Sequence, residues 1–263
     1  MRILIATLYR VLYAMAGLTV VVLSALIEAK VLDWDKRIAA YVAIGVGLLA
    51  FGDNLRLIKF KFDARERNAA RARMHKPVVS ALVAVQKVRP VDIEHLGVSV
   101  FGVHRRWVFR YRVFPWYEKH LKRLLRFRLS DYPPASDVSW TKGKGAIGEC
   151  WAKKIRVLDD RRETAEAFGD PRHATEAMFR SLTEQQRCGF NFQEFVQTIG
   201  KYGEVLAVPI RANHTGELVG VLSLDCSMAA YEDLDGLSIL RGEDIDEFVQ
   251  IAANLIQNDV VKF

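Results

Sequence analysis

Two uncharged apolar runs occupy the first quarter of the 263-residue chain and restrict what it can fold into. Residues 11–27 carry no charged side chain, and this length is near the lower limit for a helix that crosses a bilayer. A second run, residues 38–51, is extended beyond Asp53 by further apolar residues. A cleaved signal peptide would account for the first run, but not for a second run directly after it. We therefore predict a two-helix transmembrane hairpin.

The predicted hairpin covers residues 1–55, with spans at about 11–27 and 38–55 and a polar loop between them. Trp34 lies in this loop, where an interfacial aromatic residue is expected. Residues 56–76 follow as a basic juxtamembrane linker helix with eight Lys and Arg residues. By the positive-inside rule, this bias places both termini in the cytoplasm.

The net charge of +7 belongs entirely to the N-terminal segment. Residues 1–76 hold 13 Lys and Arg against 6 Asp and Glu, whereas residues 77–263 hold 25 of each. Within the second segment, residues 77–162 are basic and residues 163–263 are acidic, which favours two halves that neutralise each other on folding. No nucleic-acid partner is expected, because the surplus charge lies beside the lipid bilayer.

Residues 77–263 have the pattern of one cytoplasmic α+β domain. An amphipathic helix is predicted over 78–88, and helical segments over 163–188 are interrupted at 169–171. A final helix is predicted over 243–261. Strands are predicted at residues 95–103, 121–129, 205–210 and 218–224. Strands and hairpins in this order predict an antiparallel sheet flanked by helices.

A glycine-rich turn at Gly143, Gly145 and Gly148 is the most informative stretch of this domain. It lacks the Gly-Lys-Ser/Thr ending of a phosphate-binding loop, and no Gly-x-Gly-x-x-Gly spacing is present. The glycines are explained by backbone angles that other residues adopt with difficulty.

Together with the hairpin that follows it, this turn resembles the GAF domain family over residues 77–263. The resemblance rests on the turn and on a "PI … G … GVL" hairpin, at Gly145, Gly148, Pro209, Gly216, Gly220, Leu222 and Asp225. It implies a six-stranded antiparallel sheet flanked by helices, with a small-molecule pocket on one face. It also implies pairing into a homodimer through helices at the edges of the domain.

The resemblance implies a ligand pocket but does not identify the ligand or a cofactor. The candidate ligand-binding residues are those of the pocket and turn: Trp140, Gly145, Ile147, Gly148, Trp151, Pro209 and Asp225. A basic face at Arg105, Arg106, Arg110 and Arg112 has three open interpretations. It would bind ligand phosphate, lie on the membrane surface, or form an edge hairpin with a solvated charged face.

Other chemistries have little support in the sequence, so no metal site and no catalytic residue is predicted. The Asn-Lys … Phe … Asp-Glu signature of cyclic-nucleotide-binding GAF domains is absent. His173 is the one candidate haem ligand, and a solvated helix histidine explains it better. The histidines and cysteines show no metal-ligand spacing. Cys150 and Cys226 are expected to be buried structural thiols.

We therefore predict a non-enzymatic, membrane-anchored sensor that binds a small molecule and signals to an output protein or to its own transmembrane hairpin. The resemblance implies a bacterial-type protein, so we expect it in the cell inner membrane with the GAF-like domain in the cytoplasm. One alternative is a membrane effector whose hairpins assemble and disrupt the bilayer when the GAF-like domain is occupied. Gly17, Gly45 and Gly47 would then allow close helix packing. A less favoured alternative is a GAF-type free methionine sulfoxide reductase, because Ala146 and Ile147 stand where that family has a catalytic cysteine.

Overall fold

The computed structural model divides the chain into two compact units, Met1–Glu66 and Arg67–Phe263. It describes residues 36–110, 114–136, 138–232 and 237–263, together with Met15, Gly17, Thr19, Val21 and Val22.

In the N-terminal unit, the five separately described residues between Met15 and Val22 are helical. The rest of the predicted first span and most of the predicted loop at 28–37 lie outside the described residues. Helix α1 (Lys36–Val88) begins within this unit and includes the predicted second span. Large apolar side chains are exposed along it, at Tyr41, Ile44, Leu48, Leu49, Phe51, Leu55, Ile58, Phe60 and Phe62. No helix within the described ranges has the combined length and apolarity of a membrane span, so the transmembrane hairpin is not confirmed.

The separate helix predicted over residues 78–88 is in fact the end of α1, which continues through Pro77. A proline inside a helix removes one backbone hydrogen bond and normally kinks or ends the helix. Here buried residues at helical spacing occur on both sides of it: Ala70, Met74, Val78, Ala81, Leu82 and Val85. Because one continuous apolar face packs against the core, the helix tolerates the proline.

The C-terminal unit is built on a five-stranded antiparallel sheet, which confirms the α+β class. Its strands are β1 (Leu96–Arg110), β2 (Phe114–Arg128), β3 (Val157–Asp160), β4 (Tyr202–Arg211) and β5 (Leu218–Ser227). Their order is β2-β1-β5-β4-β3. The resemblance implied six strands, but the described residues form five. Between β3 and β4 the chain instead forms short helices with their own caps.

Besides the end of α1, the described residues of this unit form six α-helices. They are α2 (Gly145–Lys153), α3 (Arg162–Phe168), α4 (Glu176–Ser181), α5 (Glu184–Arg187), α6 (Phe192–Thr198) and α7 (Glu243–Val260). The predicted interruption at 169–171 is present, because α3 ends at Phe168 and a 3-10 turn begins at Pro171.

The two faces of the sheet are covered differently. On one face, strand residues such as Val98, Leu222 and Leu224 pack with α1 and α7 in the larger apolar core. On the other face, Phe101, Ala207 and Val221 pack with residues of α2 in a smaller core. Since strand side chains alternate between faces, this second face also receives Ser99, Ser223 and Asp225. These polar residues identify it as the face on which a binding site is to be sought.

Strands β1 and β2 form a hairpin at the edge of the sheet, and they pair from Gly97 and Arg128 out to Arg110 and Phe114. Strand β5 pairs with β1 only as far as Gly102. The remaining part of the hairpin therefore extends beyond the partner strand. This region contains the predicted basic face: Arg105 is exposed, Arg106 and Arg110 lie on β1, and Arg112 is outside the described residues.

Candidate ligand-binding site

A cavity of about 50 Å³ lies over the polar face of the sheet, and matching register positions on the five strands form its surroundings. One row across the sheet runs from β2 to β3 through Arg128, Gly97, Asp225, Val205 and Asp159. The next row contains Arg126, Ser99, Ser223, Ala207 and Val157. The sheet therefore presents charged and hydroxyl groups to the cavity from strands that are far apart in sequence.

An ion pair crosses β1 above Gly97. Arg128 on β2 donates to the carboxylate of Asp225 on β5, and Gly97 lies between them in the same row. A Cβ atom at Gly97 would lie 2.6 Å from Arg128 Nη2 and 2.7 Å from Asp225 Oδ1. Only glycine leaves room for this pair. Burial raises the pKa of Asp225, while Arg128 opposes that shift.

Residues Arg123, Arg126 and Arg128 reach the same face of β2 because its alternation is broken. The register between β1 and β2 shifts between Val100 and Phe101, so that Leu124 is the extra residue of a β-bulge. Both Leu124 and Leu125 then pack in the larger apolar core. Arg123 and Arg126 line the cavity.

The predicted glycine turn leads into α2, whose first residues line the cavity. Gly145 has φ +55°, and its N–H donates to the carbonyl of Cys188 at 2.8 Å. The N–H of Gly143 donates to the carbonyl of Gly148 at 2.9 Å, which closes the turn. Gly145, Ala146 and Ile147 are therefore held with the N-terminal end of α2 at the cavity. This end carries the partial positive charge of the helix dipole.

Arg161 is the most heavily buried charge at the cavity, with 3% of its surface exposed. It directly follows β3, and its N–H donates to the carbonyl of Gly203 on β4 at 2.8 Å. Its guanidinium Nη1 donates to Thr198 Oγ1 at 3.1 Å. The aromatic rings of Phe190 and Phe195 each lie with their centre 5.3 Å from the guanidinium carbon. The plane of the group is thus fixed by cation–π contacts and one hydrogen bond.

The remaining amino group of Arg161, Nη2, is buried and has no hydrogen-bond partner among the described residues. The indole Nε1 of Trp140, another residue lining the cavity, is in the same state. A buried donor without a partner costs about 1–3 kcal/mol, and more if the group is charged. Two such donors at one cavity indicate a place where a bound molecule would supply the acceptors.

Asp159 is the nearest carboxylate to Arg161, with 3.8 Å between its Oδ2 and Arg161 Nε. The thiol of Cys188 lies 3.8 Å from the same carboxylate oxygen. Burial raises the pKa of Asp159, and Arg161 opposes that rise. Asp159 therefore takes up a proton at a higher pH than an ordinary aspartate does, and the negative charge beside Arg161 is then lost.

An aromatic wall completes the cavity. Trp140 packs edge-to-face against Phe101 and Phe190, with ring centres 5.8 Å and 6.0 Å apart. Tyr202, the first residue of β4, also lines the cavity, and burial raises the pKa of its hydroxyl. The cavity combines cationic and hydroxyl groups with flat apolar surfaces, a composition typical of small-molecule sites.

The structure places four of the predicted ligand-binding residues on this cavity and three elsewhere. Trp140, Gly145, Ile147 and Asp225 line it. Gly148 and Trp151 are buried within α2, and Pro209 is buried on β4 where it pairs with Val221. The predicted basic face does not line the cavity at the one position, Arg105, whose side chain is described. The arginines that do line the cavity are Arg123, Arg126 and Arg161.

Sequence reasoning missed Arg161, Asp159 and Arg123, and only the first two left a readable signal. Residues 157, 159 and 161 alternate with 158 and 160, so one face of a strand would carry Val, Asp and Arg. That pattern is visible but short. Arg123 reaches the cavity through the bulge at Leu124, which no spacing rule would have predicted.

His173 is exposed in a 3-10 turn. Across the described ranges, no cluster of three or more His, Cys, Asp or Glu residues could hold a metal ion. Cys150 and Cys226 are free and buried, as predicted, and Cys188 is free and partly buried. Burial is the main cause that raises the pKa of each of these three thiols to about 12.

Comparison with known proteins gives weak structural likenesses only. No family model matches the sequence, and no curated protein matches it. A type II free methionine-R-sulfoxide reductase from Thermoplasma acidophilum is 16% identical, with 75% of this chain and 96% of that chain covered and a TM-score of 0.39. A GAF sensor protein from Burkholderia vietnamiensis is 15% identical over 75% and 92% of the two chains, with a TM-score of 0.34. A GAF domain/HD domain protein from Geobacter sulfurreducens is 12% identical over 72% and 90%, with a TM-score of 0.33.

We predict that Gly145→Ala destabilises the protein more than Gly143→Ala. Both glycines have positive φ, at +55° and +80°, so each alanine costs about 1 kcal/mol for the backbone. At Gly145 the new Cβ would also lie 2.8 Å from the Phe190 ring, whereas at Gly143 no atom lies within 4 Å. Urea unfolding should show an additional loss of about 1–3 kcal/mol for Gly145→Ala. Equal losses would contradict the packing of Gly145 against Phe190.

Proposed function

We propose that this protein is a small-molecule sensor whose ligand occupies the cavity over the polar face of the sheet. The observation that carries the proposal is the buried Nη2 of Arg161, which lacks a partner among the described residues. The protein surrounds this charged donor with Thr198, Phe190 and Phe195. A buried charged donor without an acceptor lowers the stability of the fold, and a bound ligand that supplies the acceptor would explain why it is present. The GAF-like sequence pattern supports the same function.

The site is also suited to signalling because its walls come from separate segments. Arg161 bridges the start of α3, the end of α6 through Thr198, and β4 through the Gly203 carbonyl. Ligand binding would hold these segments in one arrangement, and a state with higher ligand affinity would gain population. We propose that this change is passed to an output protein or to the N-terminal helices.

Native mass spectrometry of the purified full chain tests this function. We expect a defined small mass bound to the folded protein and lost in Arg161→Gln. Arg162→Gln is the matched control, because Arg162 pairs with Asp160 and does not line the cavity. If no small molecule is bound after purification and none binds from a metabolite mixture, the sensor function is wrong.

The same spectrum reports whether the protein pairs with a second copy, which we propose. An apolar groove between α1 and α7 supports pairing, since Ala81, Ala84 and Phe248 line it beside the exposed Ile251 and Leu255. A monomer mass at all concentrations would contradict the homodimer.

We propose further that the protein does not act as a thiol reductase. Thiolates, not thiols, are the reactive species, and a pKa of about 12 leaves each cysteine almost fully protonated at neutral pH. At pH 8, we expect a disulfide reagent to modify the folded protein about 10³-fold more slowly than the urea-unfolded protein. Comparable rates, or reduction of free methionine sulfoxide by the protein, would overturn this proposal.

Membrane anchoring through the N-terminal unit is the last part of the proposed function. The exposed apolar residues of α1 support it, since Tyr41, Ile44 and Leu48 are 58–71% exposed to solvent. Burying such residues in lipid is favourable by about 1.5–3 kcal/mol each. We expect the full chain to remain in the membrane fraction after alkaline carbonate washing. A variant with charges in both predicted spans, Val21→Asp and Val22→Asp together with Ile44→Asp and Leu48→Asp, should be released, whereas one with Arg65→Asp should not. Release of the unmodified chain would contradict anchoring.

A further inference from the structure

We infer that the ligand of this cavity is a small organic carboxylate bound by the guanidinium group of Arg161, an inference that rests on the proposed sensor function. It adds the chemical class of the ligand, which neither the sequence pattern nor the comparisons supply.

The charges at the cavity favour an anion. Three arginines line it, namely Arg123, Arg126 and Arg161, against two aspartates. One aspartate, Asp225, already pairs with Arg128, which does not itself line the cavity. Arginines therefore outnumber aspartates among the residues that line the cavity. The first turn of α2 adds the partial positive end of a helix dipole.

The geometry of Arg161 suits an oxyanion such as a carboxylate. Its flat guanidinium group lies over the rings of Phe190 and Phe195, so its N–H groups point in fixed directions. Nη1 reaches Thr198, while Nε is 3.8 Å from Asp159, too far for a hydrogen bond. The unpartnered Nη2 is thus available to one oxygen of a planar anion. Planar carboxylates match the guanidinium fork better than they match a lysine ammonium.

The size and walls of the cavity limit the rest of the molecule. A volume of about 50 Å³ accommodates on the order of four water-sized groups. Acetate, propionate and pyruvate are of this size, whereas a cyclic nucleotide or a tetrapyrrole is far larger. The edge-to-face rings of Trp140, Phe101 and Phe190 offer an apolar surface for a short carbon chain. The Nε1 of Trp140 offers a second donor, which suits a keto or hydroxyl oxygen beside the carboxylate.

Replacing Asp159 should strengthen ligand binding, whereas replacing Arg161 should weaken it. The carboxylate of Asp159 competes with the ligand for Arg161, so replacing it by the neutral Asn should strengthen anion binding. The groups that act on Asp159 are Arg161, the thiol of Cys188, Glu149 on α2 and the adjacent Asp160. Because burial raises its pKa, Asp159 gains a proton at a higher pH than an ordinary aspartate. Affinity for a carboxylate should therefore rise as the pH falls. Asp159→Asn should remove the part of this rise that Asp159 causes, while Asp225, whose pKa burial also raises, keeps its own contribution.

The experiment is a titration of the purified full chain with acetate, propionate and pyruvate at constant ionic strength. Melting temperature and tryptophan fluorescence are the two readouts. Acetamide and propionamide serve as neutral analogues of the same shape, and phosphate and sulfate as inorganic anions. At tenfold the dissociation constant, a bound carboxylate should raise the melting temperature by about 3–6 °C. The amides should bind at least about tenfold more weakly.

The variants link this binding to Arg161. Arg161→Gln should abolish carboxylate binding, and Arg161→Lys, which retains the charge but loses the planar fork, should weaken it about tenfold. Asp159→Asn should bind several-fold more tightly, and Arg162→Gln should bind like the unmodified protein. Circular dichroism identifies any variant that fails to fold. If Arg161→Gln does not fold, the increase in Asp159→Asn and the contrast between carboxylates and amides still decide the question.

The outcomes separate the ligand class from the proposed function. Amides that bind as well as carboxylates, or a preference for phosphate and sulfate, would overturn the carboxylate while the sensor function stands. Tight binding that is unchanged in Arg161→Lys and in Asp159→Asn would also overturn it. A defined bound mass that is not an acid would do the same. If neither these probes nor a metabolite mixture binds, both proposals are wrong.

Discussion

The central position of β5, with both of its faces covered, is the constraint on which the rest of the domain depends. Its side chains alternate between two faces. Leu222 and Leu224 enter the larger apolar core under α1 and α7, and Ser223 and Asp225 face the cavity. A carboxylate in the middle of a sheet is tolerated only if a cation reaches it. Arg128 does so from two strands away, and this crossing requires a glycine at position 97. One partly buried aspartate thus dictates residues on all three of β5, β1 and β2.

The same reasoning explains why the cavity is polar at one end. The charge of Asp225 is neutralised by its ion pair with Arg128. Arg161 has only a distant carboxylate, that of Asp159, and one side-chain hydrogen bond, to Thr198. Replacing the network by apolar residues would remove the desolvation cost of several buried charges. The domain keeps them in a region where Phe101, Trp140, Phe190 and Phe195 would otherwise form an ordinary core. Function, and not stability, is the more economical explanation for this arrangement.

Much of the C-terminal fold could be predicted from sequence because its signals are local. Short apolar runs, or in β2 an alternation of apolar and basic residues, marked four of the five strands, and the spacing of Ile245, Val249, Ala252 and Ile256 marked α7. The prediction ended β1 near Val103 and began β2 near Leu121, because aromatic and basic residues between them broke the apolar pattern, although they are paired in the structure. Glycines with special backbone angles located α2 and one side of the cavity. Arg123 and Arg161 could not be found in this way, since a bulge and a strand pairing bring them to the site.

The pairing of Arg161 with Asp159 also determines how the site would respond to an anion. A carboxylate bound at Nη2 adds negative charge close to Asp159, whose pKa is already raised by burial. Like charges at short distance favour protonation of one of them, so ligand binding and proton uptake are coupled at this position. Protonated Asp159 no longer attracts Nε of Arg161, while the thiol of Cys188 loses its charged acceptor. The contacts of β3 with the loop before α6 would then differ between the empty and occupied states. This difference is what a signal requires, because a ligand shifts a conformational equilibrium only through unequal affinity for its two states.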